Sequence, residues 1–484
     1  MKCRRYNVLF HAGLHMNSSN TLELAYAPIH SLAMRVRNGE LTSRALVDCY
    51  LQRIAQHDEK YHAFVEVYAD EARAAAETAD RELKGGKARG PLHGIPIALK
   101  DLIDIAGKRT TGGSMYWRER VSPVTATVAQ RLTDAGMIAL GKTHMVEFAF
   151  GAWGTNQTMG TPWNPWDPAT ARTPGGSSSG SGVAVAAALA PAAIGSDTGG
   201  SVRIPASLCG IVGLKTTVGR VSNSGTLRLS ETLDTLGPMT RDVEDAALLF
   251  NAMQGFDPQD AQTLPHSQVD ALKELKTGIA GMRFVVLPDT EIGELDPGVA
   301  AAYARALDVL RGLGARIDTL KLPLSYKRLA EIVGKIIAAE GYALHRDWID
   351  RDDLPFDRDV RDRIRWAKGL SAADYIQVMA ERKSMQREID ALLRDYAALL
   401  MPTTPLAAVP LTAVNQGKAP MSLLTRPINL LDMCALALPC GFTADGLPVS
   451  LQIAGRGYDE ARILRIGWAY ENATEWHRRR PPAP

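Results

Sequence analysis

The sequence predicts an α/β protein with a layered core, and three observations predict it. From "GIPIALKDLID" to about residue 255, short apolar runs alternate with glycine-rich loops and helix-like segments, the pattern of a sheet covered by helices. Residues 29–83 and 326–396 instead carry apolar residues at spacings of three and four, which is the period of amphipathic helices. Near the end of the chain, "ALALPCGF" and "GLPVSLQIAG" read as two more strands returning to the sheet.

Taken in order, residues 1–20 hold Lys2, Arg4 and Arg5 and then a short apolar stretch interrupted by Asn7 and His11. They read as a disordered extension, because a signal peptide needs a longer apolar run and a small-residue cleavage site. Met16 is an alternative natural start. "SLAMRVRNGE" and "SRALVDCYLQRIAQHD" are expected helices, the second capped by Thr42 or Ser43. "ARAAAETADRELKGG" is a third, stopped by Gly85 and Gly86. "GIPIALKDLID", "MIALGKT" and "GIVGLKTT" are expected buried strands, and "VAVAAALAPAAI" a helix that stops near Pro191. Residues 326–396 form a helical cover ending in "YIQVMAERKSMQREIDALLRDYAALL". No repeat or low-complexity linker divides the chain, so 21–484 reads as one domain, and the tail "HRRRPPAP" as a solvated end.

Composition narrows the function classes. Hydrophobic residues make up 46% and charged residues 22% of 484, ordinary for a globular protein. A formal net charge of +2 provides no electrostatic case for nucleic acid or a membrane surface. The longest apolar run, Val183 to Ile194, is too short to span a bilayer and contains Pro191. Five cysteines (Cys3, Cys49, Cys209, Cys434 and Cys440) are odd in number and widely spaced, with no CxxC. That argues against a disulfide framework or a zinc site and for a reducing, cytoplasmic setting.

The chemistry concentrates in two Gly-Gly-Ser triplets, "TPGGSSSGSG" with Ser177 and "GSDTGGSVRIP" with Ser201. Such turns let backbone N–H groups converge on an anion beside a hydroxyl. A lone triplet is more often just a flexible loop. Two, close together and flanked by apolar segments, would leave buried backbone groups hard to satisfy unless they serve a function. No histidine lies in either triplet; His93 and His144 are the nearest upstream. Lys100, in the apolar "PIALKD", is either a group salt-bridged to Asp101 or Asp104 or, if desolvated, a usable base.

Two other motifs are decoys. "GMIALGKT", Gly136 to Thr143, fits the P-loop pattern letter for letter, but Met137 to Leu140 reads as strand where a phosphate cradle needs a loop. "GSSSG", Gly176 to Gly180, lacks the strand that precedes a nucleophile elbow. Ser178 is therefore expected to hydrogen-bond within its loop rather than attack. Trp153, Trp163 and Trp166 are pocket candidates, with packing the expected role of at least two. Asp197 and Arg203 read as groups that fix the loop.

"GIPIALKDLIDIAG", "TPGGSSSGSGVAVAAAL" and "GSDTGGSVRIPASLCGIVGLK", in that order, resemble the amidase-signature family. So do "TTGGS", "LGKTHMVEFAFG", "NPWD", "LDTLGPMTRDVEDAALL" and "MPTTP". The resemblance implies a mixed β-sheet core covered by helices on both faces. It also implies a Ser–cisSer–Lys triad: Ser201 as nucleophile, Ser177 as the bridging serine after a cis peptide, and Lys100 as base. Backbone N–H groups of Thr198, Gly199, Gly200 and Ser201 would form the oxyanion hole. No metal or organic cofactor is implied, and homodimers are common among similar proteins. Two departures stand out. Ser179 replaces a glycine after the bridging serine, and Asp432 and Cys434 stand where many members carry Gly and Pro.

The expected function is a free-standing amidase with an acyl-enzyme on Ser201, acting on a small-molecule amide, anilide or carbamate (urethane), with esters open to the same chemistry. The alternative is an amidotransferase A-type subunit, passing ammonia to an aminoacyl-tRNA inside a complex. "GSDTGGSVR" suits both; the long 375–396 helix and "WHRRRPP" look more like free amidases. A degenerate binding protein would not need the complete Lys100, Ser177 and Ser201 set. Pocket walls are expected around 115–118, 150–156, 222–232 and the 326–396 helices.

Overall fold

The computed structural model describes residues 18–266, 268–417 and 420–483. The expected N-terminal extension and the Met16 start lie outside these residues as far as residue 17. A helix, Ser18–Tyr26, begins within the last residues of that expected extension.

Eleven strands form one mixed sheet: β1 Phe64–Val67, β2 Pro96–Lys100, β3 Ile138–Thr143, β4 Ala193–Asp197, β5 Val212–Lys215, β6 Thr235–Thr240, β7 Arg283–Val286, β8 Arg316–Thr319, β9 Ala398–Pro402, β10 Cys434–Phe442 and β11 Pro448–Gly455. Their order is β1-β3-β2-β4-β6-β5-β10-β11-β9-β7-β8. β2 runs parallel to both β3 and β4, β7 runs parallel to β8 and β9, and the remaining pairs are antiparallel. Helices cover both faces, as the expected fold class requires. All five residues of β2 and all five of β4 are buried, the mark of strands covered on both sides.

Most expected elements are where the residues placed them. Thr42, not Ser43, caps helix Ser43–Tyr61 by accepting the Ala45 N–H. Helix Ala69–Lys84 ends at Gly85. The "VAVAAALAPAAI" helix is shorter than expected: Ser179–Ala186 is helical, Ala188 turns left-handed at φ 53, and Ala193–Ile194 already belong to β4. Strand β1 lies inside the stretch read as purely helical, where Phe64 pairs with Thr143 of β3.

The expected cover consists of helices Tyr326–Ile349, Arg358–Arg365 and Ala372–Leu392. Leu329, Ile332, Val333 and Ile336 of the first are 0% exposed, each stabilising by about 1.5–3 kcal/mol. Glu340 on the same helix accepts the Thr232 N–H at 3.0 Å and hydroxyls of Ser230, Thr232 and Tyr375, tying the cover to the 229–232 loop. The stretch "ALL" after Leu392, read as helix, is instead β9. No helix among the described residues is long and apolar enough to cross a membrane. Cys49, Cys209, Cys434 and Cys440 are free and buried.

His30, Asp242 and Asp245 bring ligand-type atoms within 4.8 Å of one another, but their atoms serve helix ends. Asp245 accepts the N–H groups of Ile29 and His30 at 2.6 and 2.9 Å, and Asp242 caps helix Val243–Met253.

Candidate active site

Lys100 is the last residue of β2, and Asp197 is the last of the neighbouring parallel strand β4. Two loops meet beside these strand ends: residues 172–178, leading into helix Ser179–Ala186, and residues 198–202, leading into helix Arg203–Cys209. The Ser178 N–H donates to the Ser201 carbonyl at 3.3 Å, and the Ser177 carbonyl accepts the Val146 N–H at 3.1 Å, joining the loops to each other and to the 146–150 turn. The Gly176–Ser177 peptide is cis. Gly176 is packed so closely that a Cβ would lie 2.6 Å from the Gly151 carbonyl oxygen; no other residue fits there.

The Lys100 side chain is 0% exposed. Its Nζ lies 2.7 Å from Ser177 Oγ and 2.8 Å from Ser196 Oγ, and it makes no ion pair among the described residues. Asp101 instead accepts from Thr111, and Asp104 pairs with Arg120 at 2.8 Å, so neither holds Lys100. Burial lowers the lysine from 10.5 to about 7, against the opposing fields of Asp234 and Asp197. An amine that is half neutral near pH 7 and bonded to a hydroxyl can take that hydroxyl's proton.

The second loop is held from beneath. Burial alone would raise Asp197, but the charge and hydrogen bonds of Arg203, with help from Lys215 and Asn429, hold it far below the usual carboxylate range. Arg203 spends all five of its donors: two on Asp197, two on Thr425 O and Gln452, and one on Asn429. No donor remains for a ligand. Asp197 also accepts the Gly200 N–H at 2.8 Å and the Val202 N–H at 3.1 Å. Gly200 is therefore not an available oxyanion donor, contrary to expectation; its N–H points down into the carboxylate. The N–H groups of Thr198, Gly199 and Ser201 have no hydrogen-bond partner among the described residues. Gly200 needs its φ of 124 and its bare Cα, since a Cβ would collide with Thr425.

Ser201 is 8% exposed and opens into a narrow cleft of about 50 Å³. The walls include Phe150, Trp153, Leu229, Ile337 and Arg363, so three of the four expected wall segments contribute. The 115–118 segment does not; Met115 and Arg118 line a separate cavity with Glu66, Arg109 and His144. Of the three tryptophans Trp153 lines the cleft, Trp166 packs with its indole N–H on Cys209 O at 2.7 Å, and Trp163 packs on the main core.

Ser178 is fully buried and bonds to β4 rather than within its own loop: its hydroxyl donates to Ser196 O at 3.2 Å. Ser179 is buried with an unpartnered hydroxyl and is absent from the cleft wall. Asp432 and Cys434 lie elsewhere, pairing with Arg382 at 2.7 Å and with Arg456 O at 3.2 Å. His93 and His144 each bond a backbone carbonyl. Lys142 of the P-loop-like run is in β3, its ammonium on Ile103 O and Thr110, and no phosphate cradle exists there.

Sequence reading missed Ser196, the second partner of Lys100, and Asp234, which accepts from the Thr198 hydroxyl and from the Leu229 N–H at 2.8 Å. It also missed Gln416, Ser422 and Arg426 on the cleft wall. Asp234 had a signal in the "LDTLGPMT" run and Ser196 in "GSDTGGSVRIP"; the three wall residues had none.

A family model described as Amidase matches residues 45–464. The chain belongs to the amidase family. Among curated relatives it is 38% identical to the A subunit of the Glutamyl-tRNA(Gln) amidotransferase of Chloroflexus aggregans, covering 95% of this chain and 99% of that one. Among solved structures, a chain of the vestigial protein complex bearing on the origins of an s-triazine catabolic enzyme superposes with a TM-score of 0.87 at 32% identity, over 92% and 98% of the two chains. The peptide amidase of Stenotrophomonas maltophilia superposes with a TM-score of 0.83 at 32% identity, over 95% and 99%. As a member of the amidase family, the chain is an enzyme.

Proposed function

We propose that this enzyme breaks the C–N bond of an amide by acylating Ser201. The observation that supports this most directly is the buried lysine–serine contact, Lys100 Nζ to Ser177 Oγ at 2.7 Å, in a setting that keeps the amine substantially neutral near pH 7. Lys100 takes the Ser177 proton as Ser177 takes that of Ser201. The Ser201 oxygen then bonds to the carbonyl carbon. The N–H groups of Thr198, Gly199 and Ser201 receive the developing oxyanion. The relay returns its proton to the nitrogen, the C–N bond breaks, and ammonia or an amine leaves. Water attacks the acyl-enzyme by the same route and releases the acid.

The fate of the released ammonia separates two readings. The relatives named as A subunits of that amidotransferase, at 35–38% identity over nearly the whole chain, favour the amidotransferase A-type subunit, which hands ammonia to an acceptor within a multi-subunit complex. This reverses the order in which the long 375–396 helix and the basic tail had ranked the two; neither segment lines the cleft at Ser201. The likeness to a peptide amidase supports free-standing hydrolysis as the second reading. Ammonia release by the purified chain alone tests both. Sustained turnover without partners supports the free amidase. Turnover that requires added partner proteins and an aminoacyl-tRNA acceptor supports the amidotransferase reading. No amide cleavage under either condition, and no acyl adduct on Ser201, would sink the proposal.

A further inference from the structure

A hydrogen-bond path runs from the helical cover to the turn that carries Ser201, and it passes through Asp234. This residue immediately precedes β6 and is 5% exposed. Its carboxylate accepts the Thr198 hydroxyl and the N–H groups of Leu229 and Ser230 at 2.8 and 3.1 Å. Its carbonyl accepts from Asn223 Nδ2 at 2.9 Å. Thr198 and Leu229 both line the cleft, so one carboxylate fixes a residue of the nucleophile turn and a residue of the wall. The loop after Leu229 is held in turn by Glu340 of helix Tyr326–Ile349, which accepts the Thr232 N–H at 3.0 Å and the hydroxyls of Ser230 and Thr232. Tyr375 of helix Ala372–Leu392 donates to the same Glu340 carboxylate.

Asp234 also acts on Lys100 through space. Burial lowers the Lys100 amine most, and two acids oppose it, Asp234 first and Asp197 second. Asp197 is paired with Arg203 at 2.8 Å, whereas Asp234 has no ion pair among the described residues. The cation whose field Asp234 feels, Arg228, is engaged by Glu231 at 2.8 Å and by Asp260 at 3.2 Å. Burial raises Asp234 from its ordinary value, and its three donors oppose the rise, because hydrogen bonds to a carboxylate favour the ionised form. The charge gains weight during turnover. Once Lys100 has taken the Ser177 proton it is a buried ammonium without an ion pair, a costly state, and a nearby anion lowers that cost.

We infer that Asp234 is a positioning residue of this enzyme with two tasks: it locks the Thr198 end of the nucleophile turn to a loop held by the helical cover, and it supplies the anionic field under which Lys100 holds a proton in mid-reaction. This rests on the roles of Lys100 and Ser201 proposed above. Asp234 is absent from the cleft wall and acts through Thr198, Leu229 and Lys100. Because its loop hangs on Glu340, a shift of the cover is felt at the Thr198 N–H.

The rate at which a fluorophosphonate probe labels Ser201, followed over pH on both sides of the Lys100 limb, tests this whatever the natural amide. Asp234→Asn keeps the shape and removes the charge. Its acid limb should move to lower pH by about half a unit or more, since an amine without the anion gives up its proton sooner, and its plateau rate should fall at least about tenfold. Asp234→Glu keeps the charge and should return the limb to its original place. Thr198→Val removes the hydroxyl but keeps the N–H, and Glu340→Gln loosens the loop; each should slow labelling at least about threefold with the limb in place. A limb that stays put in Asp234→Asn, a plateau within about twofold of the original, or a limb displaced equally in Asp234→Asn and Asp234→Glu would overturn the inference. Should Asp234→Asn fail to fold, the other two variants decide. Slowing by both Thr198→Val and Glu340→Gln with the limb in place supports the inference, and labelling at the original rate or a displaced limb in either overturns it. Failure of the underlying reading looks different: the unmodified enzyme would lack an acid limb near 7, or would carry its adduct elsewhere than on Ser201.

Discussion

Arg203 grips Asp197 in a two-point clasp, Nη2 to Oδ1 at 2.8 Å and Nε to Oδ2 at 3.0 Å, with both side chains 0% exposed. The clasp lies under the turn that presents Ser201, and the same carboxylate holds the Gly200 and Val202 N–H groups. Removing one partner leaves an uncompensated buried charge, which costs about 3–5 kcal/mol. Arg203→Ala should lose stability of that order in urea unfolding. Arg203→Lys, which cannot reproduce the fork, should recover only part of it.

Ser201→Ala should abolish labelling by a fluorophosphonate probe and reduce amide cleavage by a factor on the order of 10⁶, the scale of nucleophile removal in another serine hydrolase. Ser177→Ala should keep the Ser201 hydroxyl but slow its labelling sharply. Peptide mapping of the adduct settles the assignment; an adduct on Ser178 would contradict it, since that hydroxyl is fully buried and bonded to β4.

Lys100 is expected to set the pH profile. Below about 7 the Lys100 amine is protonated and cannot accept from Ser177, so kcat/KM should fall about tenfold per pH unit there and level off above. Lys100→Ala should be slower by about 10²–10⁴-fold, with a residual rate that climbs steadily into alkaline solution. A variant profile that keeps the limb near 7 would remove Lys100 from the mechanism.

The same shift makes a stability statement. Between about 7 and 10.5 the unfolded lysine holds a proton that the folded one lacks. The unfolded state binds more protons in that window, so stability rises with pH across it and the rise ends above 10.5. Lys100→Met has no such group. The difference in unfolding free energy between the original enzyme and this variant, measured by urea at pH 7.5 and 9.5, should shift toward the original enzyme as pH rises.

Gly200→Ala should destabilise by about 1–3 kcal/mol through overpacking against Thr425 and at a φ that side chains disfavour. Its effect on kcat should exceed its effect on KM, because the displaced turn carries the N–H groups proposed as oxyanion donors. Circular dichroism melts alongside steady-state kinetics read both.

Much of this was legible in the chain because the reactive segments are local. A Gly-Gly-Ser turn and a lysine in an apolar strand can be recognised without knowing what lies across from them. Most of what escaped depends on residues far apart in sequence. Gly200 is the local exception: Asp197, three residues before it, reads as a loop-fixing group, but the residues do not say which turn N–H it takes. Ser178 was expected to serve its own loop, yet its partner is on β4. Strand β1 has four residues inside helical composition and exists through its pairing with β3. Arg363 sits among other arginines in "RDVRDRIR", and Arg426 follows a threonine that itself carries no signal; only folding brings them over Ser201.

Lys100 and Asp197 end adjacent parallel strands of one sheet, whereas Ile337 and Arg363 come from the helical cover. Lys100 is therefore fixed by the sheet, while part of the cleft wall over Ser201 hangs from a separate helical roof. Exchanging Ile337 or Arg363 would reshape the cleft and leave the strand ends untouched, which makes the covering helices a natural place to engineer.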